Sequence, residues 1–192
     1  MTAPADDKTL LIIICGAGPA PHAGRLISLA NKTGWTTRVI ATAAAVKMVN
    51  VAALEAFAGS PVRTDFNPNG RGTGAASSSS ADALIIAPAT YNTINKLAGG
   101  VNDSYPLNIV AEALGRRTPT AILPFVNTAL AARRPFLNAV ADLRSEGAKV
   151  LFGPGQWMPH PPGTGGAHLD SFPWGMALEA INQAGPIGRP NG

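Results

Sequence analysis

The sequence predicts an α/β fold, a three-layer αβα sandwich on a six-stranded parallel sheet. Short apolar runs alternate with longer amphipathic stretches about six times along 192 residues. The clearest runs, Leu10–Cys15 and Ala83–Ala87, are continuously apolar, as strands buried on both faces are. Glycine-rich turns and helix-length spacers separate the runs, which is what crossover connections between parallel strands require. The length suits one domain. In such a sheet ligands bind beyond the carboxyl ends of the strands, so chemistry belongs in the loops after Cys15, Ala41, Ala87 and Leu123.

Leu10–Cys15 is the first strand and breaks at Gly16-Ala17-Gly18-Pro19. His22–Thr33 carries Leu26, Ile27 and Ala30 at helical spacing and stops at Gly34. Thr36–Thr42 is the second strand, Val46–Ala58 a helix closed by Gly59, and Val62–Phe66 the third strand. Asn67–Ser80 is a low-complexity Gly/Ser/Asn loop. Ala83–Ala87 is the fourth strand, and Thr90–Ala98 a helix ended by Gly99-Gly100. Asp103 or Ser104 caps a helix that runs to about Leu114. Pro119–Leu123 is the fifth strand, with its proline at the first position, where a missing N–H is tolerated. Phe136–Glu146 is a helix stopped by Gly147, and Lys149–Phe152 the last strand. A Gly/Pro-dense stretch, 153–173, precedes a final helix from about Trp174 to Asn182. The expected domain is 9–184, flanked by flexible ends 1–8 and 185–192.

Composition excludes several classes. Hydrophobic residues make up 46% and charged residues 14%, against about 25% charged in soluble chains, so a disordered charged tail is out. The single cysteine excludes a disulfide scaffold and a Cys-rich zinc module, and Cys15 reads as a core thiol. No apolar stretch reaches a membrane span, and the start of the chain is polar and acidic, so the expected location is cytoplasmic, with no membrane partner. Arg116-Arg117 and Arg133-Arg134 are separated by apolar segments and form no basic block. Nucleic acid is therefore not an expected partner, and these pairs read as solvated faces or subunit contacts.

The turn Gly16-Ala17-Gly18 opening a helix suits a phosphate, or is merely a strand-to-helix turn. It is not a dinucleotide fingerprint: Pro21 stands at the third glycine position, and no acid ends the second strand. Thr42 offers a hydroxyl to a phosphate or caps the helix that follows.

The block Ala87-Pro88-Ala89-Thr90-Tyr91-Asn92-Thr93, continuing to Asp103, resembles the PASANT-type motif of the homo-oligomeric flavin-containing cysteine decarboxylases. Leu123-Pro124-Phe125-Val126-Asn127-Thr128-Ala129-Leu130 is similar to that family's P-x-M-N-x-x-M-W segment. The first strand and its glycine turn, Thr42 with Ala45, and the Ser-rich approach to Ala81-Asp82 fall in the same order, and the likeness spans about Leu10 to Gly165. The resemblance implies a Rossmann-like fold, FMN as cofactor, and a homotrimer or a dodecamer with the flavin at a subunit interface. By position, Gly16, Ala17, Gly18 and Thr42 would meet the phosphate. Met48 stands where the family often has an aromatic residue near the flavin. Pro88, Ala89, Thr90, Asn92 and Thr93 would hold the ribityl chain and ring.

The departures concern catalysis. Family decarboxylases place a histidine eight residues before the Asp of the strand-4 pair, and that position here is Gly74. No histidine lies between His22 and His160. Pro159 falls where phosphopantothenoylcysteine decarboxylases carry a flap cysteine, and Val126, Leu130 and Ala131 replace two methionines and a tryptophan. Asn127 either orients a substrate carboxylate or thiol, or caps a helix. His160 in the flap is a general base or a bystander, as is His168, and the two with Asp170 are weak support for a metal, so none is expected. Trp157 and Trp174 cover a pocket or plug the core. The expected function is flavin-dependent oxidation of a small molecule or a peptide C-terminal cysteine, oxidative decarboxylation included. The alternative is a non-catalytic FMN-binding subunit that partners an active homologue.

Overall fold

The computed structural model describes residues 8–64 and 81–183. The predicted loop 67–80 with Gly74, the chain ends and the last two residues of the predicted strand Val62–Phe66 lie outside the described residues. Six strands form one sheet: β1 (Thr9–Ile14), β2 (Thr36–Ala41), β3 (Arg63–Thr64), β4 (Ala83–Ala89), β5 (Thr120–Pro124) and β6 (Lys149–Val150). Their order is β3-β2-β1-β4-β5-β6, and every pairing is parallel. The order reverses between β1 and β4, because the chain leaves β3 at one edge and re-enters beside β1. A crevice therefore opens above the carboxyl ends of these two strands.

Side-chain alternation divides the core into two layers. Leu10, Ile12 and Ile14 face one side, where α1 (Gly24–Lys32) packs Leu26, Ile27 and Ala30, α3 (Val51–Ala58) packs Leu54, and α8 (Trp174–Asn182) packs Ala177, Leu178 and Ile181. Leu11, Ile13 and Cys15 face the other. There α4 (Tyr91–Ala98) supplies Ile94, α5 (Tyr105–Gly115) supplies Ile109 and Val110, and α7 (Arg134–Ser145) supplies Phe136, Val140 and Leu143.

The single helix expected over Val46–Ala58 is two. The Thr42 side chain accepts from Ala45 N and starts α2 (Ala43–Val46), and Asn50 accepts from Ala53 N and starts α3. Each cap fixes its own helix start, so Lys47–Asn50 lies outside both. β4 runs to Ala89, two residues further than expected, with an irregular register between Ile86 and Ala89. The added α6 (Thr128–Ala131) is too short to show a period in the sequence, and its signal is the cap residue Asn127. The last strand is shorter than expected, although Leu151 N still reaches Ile122 O at 2.8 Å.

Candidate functional site

A cleft of about 280 Å³ opens at the β1/β4 crevice and is lined by Cys15, Gly16, Thr42, Thr90, Asn92 and Thr93, with Lys96, Asp103 and the start of α5 on the far wall. Three chain turns meet there. β1 ends buried and delivers Gly16 against α2, so closely that a Cβ on Gly16 would stand 2.6 Å from Ala44 Cβ. That position leaves room for backbone alone. β2 delivers Thr42, and β4 delivers Thr90 at the start of α4.

The hydroxyls form a short chain. Thr90 Oγ1 caps α4 by accepting from Thr93 N at 3.2 Å, and the two threonine Oγ1 atoms lie 2.9 Å apart. Thr93 Oγ1 donates to Cys15 Sγ at 3.4 Å. Burial pushes the Cys15 thiol pKa up, opposed by the Thr93 side chain and a backbone bond at Thr90, so the group is a neutral thiol rather than a nucleophile. The amide N–H groups of Tyr91 and Asn92 precede the first intrahelical bonds of α4. Lys96 is neutralised by Asp103 at 2.6 Å. The donors are thus hydroxyls, a side-chain amide and peptide N–H groups around a glycine. That set fits a phosphate ester of a polyhydroxylated chain.

Five of the predicted cofactor residues, Gly16, Thr42, Thr90, Asn92 and Thr93, meet in this one cleft. The others stand around it. Ala17 is buried in the turn, and its N–H closes on Cys15 O at 2.8 Å. Gly18 is packed against Phe125 and Leu169. Pro88 O accepts from Cys15 N at 3.2 Å and Ala89 O from Phe125 N at 2.9 Å, tying β4 to both neighbouring loops. Met48 is 42% exposed, just after α2.

Asn127 and His160 are brought together. They form a parallel bridge in which Thr128 N donates to His160 O at 2.8 Å. Asn127 Oδ1 caps α6 by accepting from Leu130 N at 2.9 Å. The His160 ring is buried on Phe125, with centroids 4.7 Å apart, and stacks on His168 at 5.6 Å. Its Nδ1 lies 3.0 Å from Pro161 O. A carbonyl only accepts, so Nδ1 carries a proton in this contact. The flap is anchored by an aromatic cluster in which Phe172 meets Phe125, Trp157 and Trp174 edge-on. Arg25 of α1 holds Asp170 at 2.8 Å. Among the described residues no group of three or more His, Cys, Asp or Glu is placed to hold a metal. A roomier groove, about 460 Å³, lies between α1, Phe57 and Trp174; it holds none of the predicted cofactor or catalytic residues, and Trp174, read as covering a pocket or plugging the core, lines it while lying buried.

A family model described as Flavoprotein matches residues 2–172. The chain belongs to the Flavoprotein family. The coenzyme A biosynthesis bifunctional protein CoaBC of Mycolicibacterium smegmatis is 28% identical over 145 residues, which are 75% of this chain and 34% of that protein. The chain thus spans about a third of the length of the curated relatives it matches over most of its own. Among solved structures, the FMN-dependent cysteine decarboxylase SpaF superposes with a TM-score of 0.69 at 25% identity, covering 95% of this chain and 100% of SpaF. TvaF, the FMN-dependent cysteine decarboxylase of thioviridamide biosynthesis, gives 0.70 at 23% identity over 91% of this chain and 98% of its own. Among the described residues no helix is long and apolar enough to cross a membrane.

Proposed function

We propose that this flavoprotein binds FMN in the β1/β4 cleft and uses it to oxidise a small molecule or the C-terminal cysteine of a peptide, oxidative decarboxylation included, SpaF and TvaF being named FMN-dependent cysteine decarboxylases. The observation that supports this reading is the convergence of Gly16, Thr42, Thr90, Asn92 and Thr93 on one cleft. FMN, when bound, supplies a two-electron acceptor. The backbone of Gly16, Ala17 and Gly18 and the Thr42 hydroxyl receive the phosphate. Thr90, Asn92 and Thr93 bind the ribityl chain and ring, Pro88 and Ala89 form the wall behind them, and Met48 lies at the flavin edge. Asn127 keeps its NH₂ for a substrate carboxylate or thiol, and His160 Nε2 accepts a proton.

The cleft is small for a whole cofactor, since ligand sites commonly run from about 300 Å³ upward. Part of the cofactor would then need cover from another subunit, in a homotrimer or a dodecamer. A cytoplasmic location accompanies this reading. The second reading is a non-catalytic FMN-binding subunit, favoured by Pro159 at the family cysteine position and by the use of Asn127 Oδ1 as a helix cap. Anaerobic incubation of the FMN-loaded protein with cysteine-ended peptides and phosphopantothenoylcysteine separates the two. Flavin bleaching supports the oxidase reading, and carbon dioxide release adds decarboxylation. Bound flavin that none of them reduces supports the binding subunit.

A further inference from the structure

Tyr91, between the cleft residues Thr90 and Asn92, holds a guanidinium that the flavin reading leaves unused. Arg133 is exposed between α6 and α7, on the same connection as Asn127. Its Nη1 donates to Tyr91 Oη at 3.3 Å. Tyr91 is the first residue of α4, between Thr90 and Asn92, and its ring stacks on Phe136 with centroids 5.6 Å apart and planes 13° apart. That stack joins the amino ends of α4 and α7, and the phenol oxygen holds one N–H of the arginine there. No carboxylate among the described residues pairs with Arg133, while Asp170 and Asp103 are held by Arg25 and Lys96. A guanidinium has five N–H donors, and a phenol oxygen engages one. The planar fork matches an oxyanion, which it binds in two parallel hydrogen bonds. It stands at the carboxyl ends of adjacent parallel strands, where ligands of this architecture bind.

We propose that Arg133, positioned by Tyr91, docks an oxyanion of the substrate, a carboxylate or a phosphate, beside Asn127 and so determines specificity. The proposal rests on the flavin reading for the identity of the site. Its physical content is local: an arginine with a neutral partner that holds its direction without neutralising it.

Calorimetric titration of the FMN-reconstituted protein tests it with two matched pairs. One is a cysteine-ended pentapeptide and its C-terminal amide. The other is pantothenoylcysteine with and without its phosphate. The wild type should bind the anion-bearing member of one pair at least tenfold more tightly, and the pair that responds identifies the anion. Arg133→Ala should erase that preference while leaving affinity for the anion-free member unchanged. Arg133→Lys should restore part of it, and Tyr91→Phe should weaken it a few-fold. Equal affinity within both pairs, no binding of any member, or full preference retained in Arg133→Ala would overturn the proposal. Flavin content, read from the visible spectrum of each sample, reports separately on the flavin reading, and the calorimetric preference is read whether or not flavin is retained.

Discussion

Gly16 is the residue at which a single added atom changes most. A methyl there collides with Ala44 Cβ at 2.6 Å and with Ala44 C at 2.9 Å. Gly16→Ala should therefore lower stability by about 1–3 kcal/mol through overpacking and push the cleft walls apart. Thermal melts of the apoprotein together with flavin retention check both effects. Asn92 offers the opposite case, an exposed amide at the cleft with no side-chain bond to lose among the described residues. Asn92→Ala should leave the melting temperature nearly unchanged and weaken FMN retention by about tenfold, the worth of one hydrogen bond. Cys15 provides a pH dependence. Burial raises its folded pKa, so the folded chain holds the thiol proton more tightly than the unfolded chain does. Its contribution to stability is complete below the ordinary thiol pKa of about 8.5 and is lost as pH rises above it. Urea unfolding of the wild type and Cys15→Ala, at about pH 7 and about pH 10, should show a smaller alkaline loss in the variant. Equal losses would contradict that account.

At the scale of elements, side-chain caps place the site. Thr90 starts α4, Thr42 starts α2 and Asn127 starts α6, and each stands at the carboxyl end of a strand. Thr90→Ala should cost about 1 kcal/mol in urea unfolding, whereas Thr90→Ser should keep the cap. Strand and helix order was legible because the buried strands are continuous apolar runs, and β1 and β4 differ from expectation only at their ends. The turns that meet at the cleft were legible as motifs, since a glycine between a strand and a helix and a threonine at a helix start are local features. The division of Val46–Ala58 was not, because the caps Thr42 and Asn50 break a stretch whose composition is helical throughout. Nor was the pairing of Asn127 with His160, a bridge across 33 residues in a stretch without periodic pattern. For Asn127 both meanings weighed in the sequence remain in play, since its Oδ1 caps α6 while its NH₂ stays available. The anchoring of the flap by Phe125, Phe172, Trp157 and Trp174 likewise depends on contacts that only the fold creates.

For the whole molecule, the reversal of strand order matters more than any one side chain. It opens the crevice between β1 and β4, and the residues that match the flavin motif line it because they follow those strands. The scarcity of charge and the exposure of Met48, Phe57, Leu137 and Met158 fit a chain whose surface is partly covered by other copies. Light scattering should accordingly give a mass that is a multiple of three chains, and a monomer would remove the covering subunit from the account. The proposed function stands or falls with FMN in the β1/β4 cleft. Its most direct measurement is the visible spectrum of the purified protein, desalted after incubation with FMN, beside Asn92→Ala. Retained flavin absorption near one FMN per chain is expected in the wild type and much less in the variant. A colourless wild type that takes up no FMN would contradict it.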